Sequence, residues 1–397
     1  MITVEQAFER IVSKAPPLAT EKVEVAKASG RVIAAPIAAR RSQPAANMSA
    51  MDGYAVRSED LSGALTKFEL IGESAAGHPF NGTVAKGQTV RIFTGAVLPD
   101  GADQVVIQEN VEAGDGLVTT SVAANAFSNI REMGSDFLEK QTVLDAGTYM
   151  SAKSIGLAAS SGQAHLMVHR RPRVAILSTG DELARPDKPS FSRYDTVNSC
   201  SPQLQALLEE TGAEVCFVGQ AGDTLEALSA AIRDNNTADI LVTIGGASVG
   251  DKDFVQQALV SEGMELDFWQ VAMRPGKPLI FGKKNQQYVL GLPGNPASAF
   301  VCALLFLRPL IDKLMGRPAP LPGGVSIPVA TNLPANGPRQ HYIRARLVGS
   351  PGDRMADPAA SQDSSLSTVL AQCDGLIIRP INDEPVSAGS RVAFLPF

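Results

Sequence analysis

The segment TIGGASVGDKD, residues 243–253, sets paired glycines, a third glycine and two acids in one short loop. It follows the apolar run ADILV and precedes FVQQALVSEG, which has helical character. Two other loops share that placement, STGDEL at residues 178–183 and GLPGNPASA at residues 291–299. Gly180, Gly245, Gly246, Gly250 and Gly294 would let backbone come close to a ligand, and the helix starts behind them offer free N–H groups to an anion. Ser248, Pro293 and Asn295 lie in the same loops. Such a loop holds a phosphate, holds a metal-bound phosphate, or is merely a tight turn. Three of them at strand ends favour a ligand.

Acids accompany these loops: Asp181, Glu182, Asp223, Asp251 and Asp253. A hard cation bridging carboxylates and phosphate suits them. Capping of a helix start is the alternative for each. VAMRPGKPLIFG places Arg274 and Lys277 around Pro275-Gly276, where two cations would neutralise an oxyanion or sit solvated on a surface turn. NMSAMDGYAV and FTGAVLPDGAD contribute Asp52 and Thr94, each also readable as a turn residue.

Several chemistries find no support. GxGxxG at a strand–helix junction, GxxxxGK[ST], GxSxG and HExxH are all missing. The four histidines adjoin none of the glycine-rich loops and read as surface or packing residues. Cys200, Cys216, Cys302 and Cys373 are spaced too widely for CxxC redox or zinc patterns, which suggests reduced thiols in a cytoplasmic protein. A formal charge of -6 without a basic block argues against nucleic acid or an anionic membrane as partner. The start, MITVEQAFERIV, lacks the basic flank and apolar run of a signal peptide. FVCALLFLRPLI is too short to span a bilayer and predicts a buried helix.

A chain of 397 residues exceeds one hydrophobic core. Residues 50–136 hold short apolar runs between Gly, Pro, Asn and Asp, the pattern of a β domain. From residue 173 to about 317, apolar runs alternate with helical segments, predicting parallel strands with covering helices. Residues 323–397 return to short runs, a terminal β module.

In order, SAMDGYAV, FTGAVLPDGAD, STGDEL, GGASVGDKD, MRPGKP and GLPGNPASA resemble the molybdopterin molybdenumtransferase family, the bacterial MoeA type related to the E domain of gephyrin. That resemblance implies a multi-domain α/β and β fold: an elongated discontinuous domain (1–45 and 137–171), an inserted β-rich domain (46–136), a central parallel-sheet α/β molybdopterin-binding domain (172–322) and a C-terminal β-barrel-like domain (323–397). It implies insertion of molybdenum from molybdate into the dithiolene of adenylylated molybdopterin, with release of AMP and with Mg2+. The implied catalytic residues are Asp52, Glu182, Asp223 and Asp253, the last three also ligating the metal. Thr94, Arg274, Lys277, Arg344 and Ser364 are the matching substrate-cleft positions, alongside the glycine-loop residues. A cytoplasmic homodimer with clefts lined by both subunits is implied too, with transient contact to the adenylyltransferase and to molybdoenzyme maturation proteins. Gln270 departs from the pattern, standing where such proteins often carry Lys. The neighbouring readings are a molybdopterin adenylyltransferase, which leaves the N-terminal half unexplained, and a non-catalytic molybdopterin-binding scaffold. A sugar-phosphate or nucleotide hydrolase would also use carboxylates beside glycine loops.

Overall fold

The computed structural model describes residues 1–246 and 254–397. Contacts divide it into two compact units, residues 1–21 with 169–397, and residues 22–168.

The larger unit is built on a six-stranded sheet. Its strands are β1 (Arg173–Thr179), β2 (Glu214–Ala221), β3 (Ile240–Ile244), β4 (Glu265–Gln270), β5 (Pro278–Lys284) and β6 (Gln287–Leu292), in the order β2-β1-β3-β6-β5-β4. The first four in that order run parallel, while β5 and β4 are antiparallel additions at one edge. The alternating pattern predicts a parallel sheet, and the departure has a local cause. Only Asn285 and Gln286 separate β5 from β6, with Asn285 at φ 55. A link that short makes a hairpin and cannot carry a crossover helix.

Both faces of the sheet are covered, as its apolar strands require. Val174 and Ile176 face one cluster, Ala175 and Leu177 the other, following the two-residue period of a strand. Helices α1 (Val4–Val12) and α2 (Cys200–Thr211) lie on the first side with a long helical run, which starts as α5 (Pro296–Cys302) and continues through Arg308–Leu314. Helices α3 (Leu225–Asp234) and α4 (Phe254–Ser261) cover the second. The middle of that run, residues 301–307, is apolar all round and buried all round, with Val301, Cys302, Leu305, Phe306 and Leu307 at 0% exposure. Helix α1 opens with a capping box between Thr3 and Gln6. Its Val4, Ala7 and Ile11 are fully buried in the cluster that includes the long run. This burial places residues 1–21 with the α/β unit rather than with residues 137–168. Truncating Ile11 to Ala would cost about 2–5 kcal/mol.

The same unit ends in a curled sheet of β7 (Val325–Pro328), β8 (Gln340–Val348), β9 (Met355–Pro358), β10 (Gly375–Arg379) and β11 (Arg391–Pro396), ordered β7-β11-β10-β8-β9. A bridge between Val329 and Ala356 brings the two ends of that order together, giving a barrel-like wall around Ile343, Ile377 and Phe394. A short helix, α6 (Ser367–Ala371), precedes β10. Met273–Arg274 pairs with Gln340 and His341 at the start of β8, joining this wall to the α/β layer.

The smaller unit carries its own six-stranded sheet, with Gly53–Val56 between Gln104–Ile107 and Gln88–Ile92, and with Thr66–Ser74, Leu117–Thr120 and Glu112–Gly114 beyond. Phe68, Val106 and Val118 pack one side of it.

Candidate active site

A cleft of about 830 Å³ opens beyond the carboxyl ends of β1, β3 and β6. In an open α/β sheet this is where ligands collect. The three glycine-rich loops meet there: Gly180 and Glu182 from the first, Gly245 and Gly246 from the second, Pro293, Gly294 and Asn295 from the third. Asp223, at the end of β2, lines the same space.

The backbone of these loops needs glycine. Gly180 has φ 143, and a Cβ there would lie 2.6 Å from a Glu182 carboxylate oxygen. Gly245 has φ 91, and its Cβ would meet the Thr179 carbonyl oxygen at 2.8 Å. Either substitution would push a wall into the cleft or displace the acid it presents. Two loops are also clipped together by carboxylates. The Asp181 N–H donates to Asp223 Oδ2 at 3.2 Å, and the Asp223 N–H donates to Asp181 Oδ1 at 3.1 Å. From the neighbouring strand, Gln220 Nε2 donates to the Gly180 and Leu183 carbonyls at 3.0 and 3.1 Å. Helix capping behind Asp223 falls to Thr224, whose hydroxyl accepts from the Ala227 N–H. The carboxylate of Asp223 is therefore not the cap that its position suggested.

The other wall comes from the start of α2. Asn198 accepts from the Ser201 N–H and donates to the Ser201 hydroxyl, which also bonds Ser178 at 2.6 Å and so ties α2 to β1. Cys200 Sγ donates to the Gly294 carbonyl at 3.4 Å. Burial pushes its thiol up to about 11, against a smaller opposing effect of Ser199, so it stays protonated at neutral pH. The terminal module closes the rim: Ser365 and Ser367 line the cleft, and Ser364 accepts from Asn295 Nδ2 at 3.0 Å.

Three family models match in series: the MoeA N-terminal region (domain I and II) over residues 2–162, a probable molybdopterin binding domain over 175–313, and the MoeA C-terminal region (domain IV) over 326–397. The chain is similar to the molybdopterin molybdenumtransferase of Haemophilus influenzae, 36% identical over 404 residues that span 100% of this chain and 99% of that one. It is also 36% identical to the molybdopterin molybdenumtransferase of a Nostoc species, over 95% of this chain and 88% of that protein. A solved MoeA molybdopterin biosynthesis protein from Pyrococcus horikosii superposes with TM-score 0.87 at 27% identity, covering 100% of this chain and 99% of that chain. The chain belongs to the molybdopterin molybdenumtransferase family of the MoeA type.

Other residues that the MoeA motifs single out fall elsewhere. In the smaller unit, Asp52 Oδ1 accepts from both the N–H and the hydroxyl of Thr94, at 2.7 and 2.9 Å. The pair, distant in sequence, is thus one local constellation. The Thr94 N–H first, then its hydroxyl, hold the Asp52 carboxyl below the usual range. Arg274 and Lys277 are not among the cleft-lining residues. Arg274 is exposed on the segment that pairs with β8, and Lys277 lies next to Pro278 of the cleft wall. Gln270 ends β4, away from the lining, its carbonyl accepting from the Ile2 N–H. Arg344 is fully buried inside the terminal module. Its Nη1 donates to the Asp363 carbonyl at 2.8 Å, and Gln362 bonds both its N–H and its carbonyl. Arg344 orders the segment leading to Ser364 and Ser365, and is absent from the lining. Ser248, Gly250, Asp251 and Asp253 lie outside the described residues.

The sequence reading missed Thr196, Asn198, Ser199, Cys200, Ser365 and Ser367. NSCSPQLQALL does announce a helix start, but nothing local says that it faces the glycine loops. Among the described residues no three His, Cys, Asp or Glu side chains gather as a metal cage. No described helix is long and apolar enough to cross a membrane.

Proposed function

We propose that this chain inserts molybdenum from molybdate into the dithiolene of adenylylated molybdopterin, releasing AMP and completing the molybdenum cofactor. The observation that carries the reading is the meeting of three glycine loops with Glu182 and Asp223 in one cleft, on a chain matched along its whole length by MoeA-type transferases. The loop backbones and the start of α2 would hold the phosphate, with Ser199, Ser365 and Ser367 offering hydroxyls around it. Gln220 and the Asp181–Asp223 clip keep the acids in place before substrate arrives, so that little reorganisation accompanies the reaction. Cys200, held as a thiol, is not a nucleophile in this reading.

Mg2+ belongs to the same proposal. It is commonly held by one or two carboxylates together with substrate phosphate and water, so Glu182 and Asp223 on one cleft suit it. Asp253 is the proposed third ligand. When bound, the ion supplies charge compensation to phosphate oxygens. Ser248, Gly250, Arg274 and Lys277 complete the proposed substrate contacts, with Arg344 supporting the serine rim. Domain boundaries near residues 46, 137, 172 and 323, with residues 1–21 counted with the α/β layer, a cytoplasmic location, and a homodimer whose clefts draw on both copies are part of the reading. So is transient contact with the adenylyltransferase and with maturation proteins.

The test is molybdate-dependent AMP release from adenylylated molybdopterin by the purified chain with Mg2+. Wild type should release AMP, and Asp223→Asn should slow release by about a hundredfold while its thermal transition stays near that of wild type. Wild-type protein that releases no AMP would sink the proposal. Adenylylated pterin and pyrophosphate formed from ATP and metal-free molybdopterin, without a partner enzyme, would point to the adenylyltransferase instead.

A further inference from the structure

The Asp52–Thr94 pair of the smaller unit is flanked on both sides by contacts from one arginine. Asp52 precedes the strand Gly53–Val56 and Thr94 follows the strand Gln88–Ile92, with Gly53 opposite Ile92 and Tyr54 opposite Arg91. On its other side Gly53 lies opposite Ile107, at the end of the strand Gln104–Ile107. The Arg91 guanidinium joins the ends of all three strands. Its Nη1 donates to the Gly53 carbonyl at 3.1 Å and its Nη2 to Gln108 Oε1 at 2.6 Å. The Gln108 N–H in turn donates to the Asp52 carbonyl at 3.1 Å. Arg91 Cζ stands 5.0 Å from the centroid of the Tyr54 ring and 4.9 Å from that of Phe93, the residue next to Thr94. Residues adjoining both members of the pair are thus tied to one planar cation.

Two properties make this more than a packing contact. A guanidinium presents its donors in a rigid fork, so it holds a carbonyl and an amide from different strands at one separation, which a lysine ammonium on a flexible stem does not. Both of these acceptors are also uncharged, so neither neutralises the cation, and its charge near Asp52 favours the ionised carboxylate. We propose that Arg91 is a positioning residue for Asp52, fixing the carboxylate and Thr94 at one separation and supplying the cation that lets an acid work beside an anionic substrate. This inference rests on the reading that places Asp52 in the transferase active site.

Arg91→Met removes the fork and the charge, while Arg91→Lys keeps the charge alone. In carboxyl carbon NMR, Asp52 should titrate higher in Arg91→Met than in wild type and move back towards wild type in Arg91→Lys, a pattern that a merely structural role would not produce. With Mg2+, molybdate and adenylylated molybdopterin, Arg91→Met should lower kcat for AMP release about thirtyfold and Arg91→Lys about fivefold, with KM within about twofold. Gln108→Leu, at an exposed position, keeps the charge and cuts one end of the clamp. It should fold as wild type does and lower kcat about threefold, a measurement that decides even where Arg91→Met does not fold. An unmoved Asp52 titration in Arg91→Met, a wild-type kcat in either Arg91→Met or Gln108→Leu, or a loss expressed in KM alone would overturn the proposal. The transferase reading fails separately: wild-type protein that releases no AMP removes it, whereas the Asp52 titration is read without turnover.

Discussion

Asp52 and Thr94 show what one pair of side chains can determine. Two donors from a single residue converge on one carboxylate oxygen, so Asp52 is an anion well below neutral pH. A carboxyl with a lowered folded pKa adds stability that is present above its ordinary value, near 3.9, and is lost as pH falls through the folded one. Titration of Asp52 therefore changes neither stability nor activity around neutrality. Replacing Thr94 with Val removes the hydroxyl donor and keeps the N–H, so Asp52 should titrate higher than in wild type yet still below an ordinary carboxyl. Carboxyl carbon NMR would measure this, and an unmoved titration would contradict the paired geometry. SAMDGYAV and FTGAV were each visible in the sequence as motifs. That they bond to each other was not, because the bond spans two strands of a sheet whose pairing no local pattern specifies. His341 gives the opposite case. Burial first, then the nearby Arg274, pushes its imidazole down to about 4, which makes it a neutral packing residue as its distance from every glycine loop suggested.

At the scale of elements, the cleft is a property of strand ends and of what clips them together. Gln220 makes no contact that its own strand needs, yet it bonds two carbonyls of the loop bearing Glu182. Gln220→Leu should leave the thermal transition nearly unchanged, as expected of an exposed site, but slow AMP release by about five- to tenfold through kcat more than KM. A Gln220→Leu enzyme with wild-type kcat would show that the loop holds itself. The strand-end loops were legible because glycine follows each apolar run, with acids behind it in STGDEL and TIGGASVGDKD. The antiparallel edge was less so. β5 has the same apolar character as its parallel neighbours, and the missing helix between β5 and β6 is what sets it apart.

For the whole molecule, the proposed homodimer makes a sharp prediction about shared clefts. If one copy brings Asp52 and the other Asp223, mixing inactive Asp52→Ala with inactive Asp223→Asn chains should restore about a quarter of wild-type AMP release, since half the dimers are mixed and each regains one intact cleft. No recovery after subunit exchange, verified by differently tagged chains, would place both acids in a single copy. Residue order by itself determined the alternation of layers, a buried helix over 300–311 and the three glycine loops, because periodicity, turn chemistry and apolar run length are local properties of the chain. Only tertiary structure decided that α1 joins the α/β layer, that Arg344 is a buried strut, and that serines from the terminal module and from α2 face the same cleft. Those outcomes depend on which distant surfaces pack together, and burial across such separations leaves no spacing in the sequence from which to read it.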